Sequence, residues 1–296
     1  MIRKLQSTSA GMLGVAVLHT SRLLESLLPP RLLRWVFIPL SAALALHGIL
    51  RHPPSPASRR ARPYPLAAEH SAAFRARLRL QLSRFLSNWP DRLSAPHWRR
   101  RIEIHGAALD VARRSGRPVI LVSGHFGPFH MAGYFLRAMG YPVASFIGNS
   151  GRSRWASRRA KDRLSHLPNI KHVFSAEDPL REVFGFLKQG NILRMSFDVA
   201  AGKSIKIPCA DTLLSFATGS VRMAAATGAT LIPFAISEVA PWRFAIQLGT
   251  PVPPELLSPG EDPAPAARHI LTECWRFFSQ APAQAQPILL EAFSMD

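Results

Sequence analysis

An α/β fold, with a mixed central sheet flanked by helices, is what the sequence predicts, and three features predict it. After Arg117, short apolar runs rich in β-branched residues alternate with stretches of helical spacing, the signature of strands joined by helices. The first run, PVILVSG at residues 118–124, is apolar without alternation, as in a strand covered on both faces. The chain has 296 residues, 47% of them hydrophobic, which is enough for a sizeable core.

The elements follow in order. Residues 1–51 read as an N-terminal membrane-binding helical segment. Within it WVFIPLSAALALHGIL, residues 35–50, carries no formal charge and is flanked by Arg31, Arg34 and Arg51. A helix crossing the hydrocarbon needs about 20 apolar residues. These 16 residues therefore fit a short span, a re-entrant hairpin turning at Pro39, a helix lying in the interface, or a buried core helix. Arg3 and Lys4 precede a weak apolar run, yet no small-x-small cleavage site follows, so the segment does not read as a signal peptide. HPPSPASRRARPYP, residues 52–65, is an extended linker by its proline, serine and arginine content. It leads into a domain over residues 66–296.

That domain should begin with two basic helices. One spans about residues 67–86, with Phe74, Leu78, Leu82 and Phe85 at helical spacing; the other covers WRRRIEIHGAALDVARRSG, residues 98–116, and ends in its glycine. Strands are then expected at residues 118–124, 141–147, 169–174, 191–197, 204–209, 229–237 and 244–249. Helices are expected near residues 127–139, 176–189, 217–227 and 263–280.

Charge is unevenly placed. The chain has 37 Lys+Arg against 18 Asp+Glu, and residues 1–117 hold 20 and 5 of these. A basic excess alongside an apolar segment suits an anionic membrane surface. Nucleic acid would draw on the same charges, but no recognition fold accompanies them. Cys209 and Cys274 form no CxxC pair and no metal-ligand spacing, so neither a disulfide framework nor a metal centre is predicted.

The stretch richest in chemistry is SGHFGPFHMAG, residues 123–133, where a buried strand delivers His125 into a glycine-bounded turn that opens a helix. Reactive groups of α/β folds cluster at such strand ends, next to the unpaired N–H groups of a helix start. A neutral imidazole there can take a proton from a hydroxyl, its unperturbed pKa being about 6.5. A histidine with a purely structural role is the plainer alternative. No serine or cysteine stands in a Gly-x-Ser-x-Gly elbow, so direct transfer is favoured over a covalent intermediate.

SGHFGPFHMAG resembles the HFGNWE-type block of the lipid A lauroyl/myristoyl acyltransferase family, part of the lysophospholipid acyltransferase superfamily marked by His-x4-Asp/Glu. MSFDVAAGKSIKIP, residues 195–208, resembles that family's Asp-Gln strand end, with Asp198-Val199 here. LSFATGSVRMAAATGATLIPFAI, residues 214–236, resembles its Thr-Gly helix followed by a Val/Ile-Pro-Phe strand. The resemblance implies an acyltransferase-like catalytic domain in which His125 is the general base. It implies a fatty acyl donor, either acyl carrier protein or acyl-CoA, a lipid acceptor, no bound cofactor, and a bacterial cytoplasmic membrane location on the cytoplasmic face.

The sequence departs from the family at one place. Where the family has the carboxylate that accepts the imidazole N–H, this chain has His130, giving His-x4-His. Three readings stay open: an active acyltransferase using a His125–His130 dyad, a catalytically impaired lipid-binding accessory protein, or some other chemistry, with Asp198, the carboxylate kept from the Asp-Gln pair, as a further catalytic candidate. Zinc binding by the pair is disfavoured, since an i, i+5 spacing puts two helical residues on different faces. For substrate binding, the candidates are Arg159 and Arg163, from a basic run that can pair with phosphate. Thr218 and Gly219 join them as a helix start that caps and permits close approach.

Overall fold

The computed structural model describes residues 99–147, 173–175, 177–199, 203–209, 212–240 and 243–285, together with Pro39, Leu289 and Phe293–Ser294. The chain divides into two compact units, Met1–Arg51 and His52–Asp296, and the elements below all belong to the second. The apolar run at 35–50, the linker, the basic helix at 67–86 and the arginine-rich run with Arg159 and Arg163 lie outside the described residues, Pro39 apart. Among the described residues no helix is long and apolar enough to cross a membrane.

In chain order the elements are β1 Ile102–His105, α1 Ala108–Arg114, β2 Val119–Ser123, a 3-10 turn Phe129–Met131, α2 Ala132–Ala138, β3 Val143–Ile147 and β4 Val173–Ser175. There follow α3 Leu180–Lys188, β5 Ile192–Ser196, β6 Ser204–Cys209, β7 Thr212–Ala217, α4 Gly219–Thr227, β8 Thr230–Ala240, β9 Arg243–Leu248, α5 Ala264–Phe278 and β10 Phe293–Ser294.

Seven strands form one sheet in the order β1-β9-β8-β2-β5-β3-β4. Its neighbours run parallel except β8 and β9, which are antiparallel. β2 lies in the middle and is buried on both faces, as its unalternating apolar sequence requires. Val119 and Leu121 join the core under α1 and α2, with Leu109, Ala112, Phe135 and Leu136. Ile120 and Val122 join the opposite core under α3, α4 and α5, with Leu187, Val221 and Ile270. Successive side chains of one strand thus serve two layers. A smaller antiparallel sheet, β10-β7-β6, lies beside the core under α3, α4 and α5 through Ile207, Leu214 and Phe216.

Three sequence expectations are corrected. Residues 98–116 are not one helix, because Ile102 and Ile104 face inward at strand spacing and pair parallel with β9. Gly106, at φ +106°, then turns the chain into the short α1. β7 fills residues 212–216, for which the sequence predicts no element, and extends to Ala217; it pairs in register with β6 from Ser204↔Ala217 to Cys209↔Thr212. The helix expected over 127–139 is a 3-10 turn followed by α2, a tighter entry set by Pro128.

Candidate active site

His125 stands two residues beyond the end of β2, and Asp198 two residues beyond the end of β5. The two strands are parallel neighbours whose last paired residues are Ser123 and Ser196. Equal overhang from one register step places histidine and carboxylate at the same height above the sheet. There the carboxylate takes two hydrogen bonds from one residue. The His125 backbone N–H donates to Asp198 Oδ2 at 2.6 Å, and the imidazole lies with Nδ1 2.7 Å from Oδ1. Where Asp198 acts as a carboxylate it only accepts, and the ring then donates from Nδ1 and keeps its lone pair on Nε2. The Asp198 side chain is fully covered and that of His125 is 11% exposed, so the pair is dry on the aspartate side and reaches the surface only through a small part of the histidine.

Two glycines hold the turn. Gly127 has φ +55°, and a Cβ there would collide with the carbonyl oxygen of Ile236 on β8. Gly124 lies under Leu289 and Phe197, where a Cβ would come within 2.7 Å of Leu289 Cδ1. From the C-terminal side Gln284 straps the same turn: its carbonyl accepts from Gly127 N–H at 2.9 Å, while its side-chain amide brackets the Glu238 backbone.

His130 sits on the 3-10 turn, exposed, its ring edge-on to His125 with centroids 5.6 Å apart. It does not take the place of the missing motif carboxylate, because the Nδ1 position of His125 is occupied by Asp198. Thr218 does precede α4, but its hydroxyl donates to the Lys203 carbonyl at 3.0 Å and gives no helix cap. Its backbone ψ of 0° is outside the extended region an N-cap needs. Gly219 lies over Met195, and Ala217 N–H donates to the Phe197 carbonyl at 2.7 Å, so the start of α4 is tied to the residue before Asp198.

Two residues that sequence reasoning passed over adjoin the turn. The Phe129 ring lies 4.5 Å from the His125 ring and 4.2 Å under the Arg194 guanidinium. Arg194, buried in the middle of β5, donates to the Phe129 carbonyl at 2.6 Å and twice to Ser145 Oγ at 3.1 Å. Burial and the nearby Arg137 pull its pKa down to about 10, which leaves it charged at neutral pH. The signal was present: an arginine inside NILRMSF interrupts an otherwise apolar strand. Among the described residues no group of three or more His, Cys, Asp or Glu is placed to hold a metal. Both cysteines are buried, and burial pushes the Cys209 thiol up to about 12.

A strand-end histidine held on its Nδ1 side by a buried carboxylate has an arrangement suited to deprotonating a hydroxyl. No curated protein matches the chain. Among solved structures it is similar to the crystal structure of the 1-acyl-sn-glycerophosphate (LPA) acyltransferase PlsC from Thermotoga maritima. That likeness has 15% identity and a TM-score of 0.39, over 82% of this chain and 94% of that one. The family model for the bacterial lipid A biosynthesis acyltransferase matches residues 89–285, about two-thirds of the chain and every strand of the large sheet. The protein is therefore a lipid acyltransferase that belongs to the bacterial lipid A biosynthesis acyltransferase family.

Proposed function

We propose that the protein transfers a fatty acyl chain from acyl carrier protein or acyl-CoA to a hydroxyl, or an amine, of a membrane lipid, working at the cytoplasmic face of the bacterial inner membrane. The observation that carries this reading is the two-point hydrogen bonding of His125 by Asp198. His125 Nε2 takes the proton of the acceptor hydroxyl as its oxygen attacks the thioester carbonyl. The new C–O bond forms a tetrahedral intermediate, which collapses by breaking the C–S bond. The thiolate leaves with the proton that the imidazolium returns. Asp198 stabilises the imidazolium throughout and holds the tautomer, the work an orienting aspartate does in a serine protease triad. In this scheme the carboxylate missing from the His-x4-His motif is supplied by another strand. Arg159, Arg163, Thr218 and Gly219 remain candidate contacts for the phosphate or acyl portions of the substrates.

The test uses full-length protein with lauroyl-CoA or lauroyl-acyl carrier protein and a total bacterial lipid extract. Free thiol and a new acylated lipid, identified by mass spectrometry, are expected together. His125→Ala should lower that rate by about 10²–10⁴-fold, the usual value of a general base. Lipid binding with no thiol release would instead mark an accessory protein.

A further inference from the structure

We infer that Arg194 is a positioning residue for His125, acting through Phe129. This rests on the acyl-transfer reading above. Arg194 pairs in register with Leu121 of β2 and Ser145 of β3, in the middle of the sheet, where an aliphatic side chain would ordinarily stand. Its three hydrogen bonds reach a serine hydroxyl and a backbone carbonyl, and it takes part in none of the ion pairs among the described residues. A cation buried on neutral partners is a poor way to stabilise a fold, since an apolar residue of similar volume is often as good or better. What Arg194 does supply is direction. One nitrogen fixes the carbonyl of Phe129, and the guanidinium plane covers the Phe129 ring at 4.2 Å. That ring is in turn tilted against the His125 imidazole at 4.5 Å.

Asp198 follows Arg194 by four residues on the same strand and its extension. β5 therefore grips the histidine twice, by hydrogen bonds to Nδ1 and the backbone N–H, and by an arginine-braced ring against the imidazole. Support from a rigid strand is what a base needs, because a displacement of about 1 Å can cost about 10²-fold in rate.

The test measures kcat and KM for lauroyl-CoA with the same lipid extract, for the wild type, Arg194→Met, Arg194→Lys, Phe129→Leu and the Arg194→Met/Phe129→Leu double variant. Arg194→Met should fold, with kcat down about 10–10²-fold and KM within about twofold, the pattern of lost orientation rather than lost binding. The double variant should be little worse than either single one, since both break one relay. Arg194→Lys keeps the charge without the planar fork, so it should share the loss of kcat while melting near the wild type; it stands in if Arg194→Met does not fold. Near-native kcat in a folded Arg194 variant, or additive losses in the double variant, would overturn the inference. A second readout does not depend on turnover: carbethoxylation of His125 by diethyl pyrocarbonate, followed on its peptide by mass spectrometry. The rate should rise several-fold in the Arg194 variants, and an unchanged rate would overturn the inference. A wild type that yields no acylated lipid would instead defeat the acyl-transfer reading and leave this measurement to judge Arg194.

Discussion

Asp198 offers two acceptor oxygens to two donors of one residue, and that arithmetic sets the outcome of the smallest change there. Asn has one carbonyl oxygen and one amide group, so Asp198→Asn must leave either the His125 backbone N–H or the ring N–H facing another donor. We expect kcat to fall by about 10²–10⁴-fold, with about 1–3 kcal/mol lost from stability, read by the lipid-product assay and by thermal melting. His130→Ala should cost less than about tenfold in the same assay, because Asp198 already holds the Nδ1 side of His125. If the two variants were equally damaged, Asp198 would not be the orienting group. The cysteines give a separate check. Burial raises both the Cys209 and the Cys274 thiol, so little of either is thiolate at pH 8. Iodoacetamide should leave both unmodified in native protein and alkylate both in denaturant, as intact mass will show; rapid native labelling would contradict the burial.

The elements are tuned by local backbone demands that can be compared within the molecule. Gly116 and Gly127 both have positive φ, but a Cβ at Gly116 meets nothing within 4 Å whereas one at Gly127 meets the β8 backbone. Gly116→Ala should therefore cost only the conformational term, about 1–2 kcal/mol. Gly127→Ala adds overpacking of about 1–3 kcal/mol against a strand that cannot move aside. Because Gly127 also fixes the turn that carries His125, its loss should lower turnover even below the melting temperature. Equal melting temperatures for the two variants would refute the close approach. In strand β5, Ile192, Leu193 and Met195 read as core from their type, while nothing near Arg194 in the sequence says what its charge faces. Its partners Ser145 and Phe129 come from elements 49 and 65 residues away in the chain, so no local pattern announces the contact.

At the scale of the whole molecule, the membrane proposal concerns the unit Met1–Arg51, whose arginines flank the uncharged run at 35–50. Full-length protein should sediment with cytoplasmic membranes, and a 52–296 chain, which keeps the unit holding both cores, should do so less; identical, fully soluble behaviour of the two would end that proposal. Much of the architecture was legible beforehand. Unalternating apolar runs announce a doubly covered sheet, and the glycine-bounded histidine announces where its strands end, because hydrophobic period and turn chemistry are local properties. The amphipathic strand β1 was read as helix, since four residues with two isoleucines are too short to separate the periods. β7 was hidden because a hairpin partner, rather than its own composition, makes it a strand. By itself the sequence determined the fold class, the family resemblance and the candidate base, all carried by neighbouring residues. Only the tertiary structure decided which group hydrogen-bonds that candidate. His130 is close to His125 in sequence, but the parallel register of β2 and β5 brings Asp198 to it from 73 residues away, and register is fixed by packing between strands rather than within them.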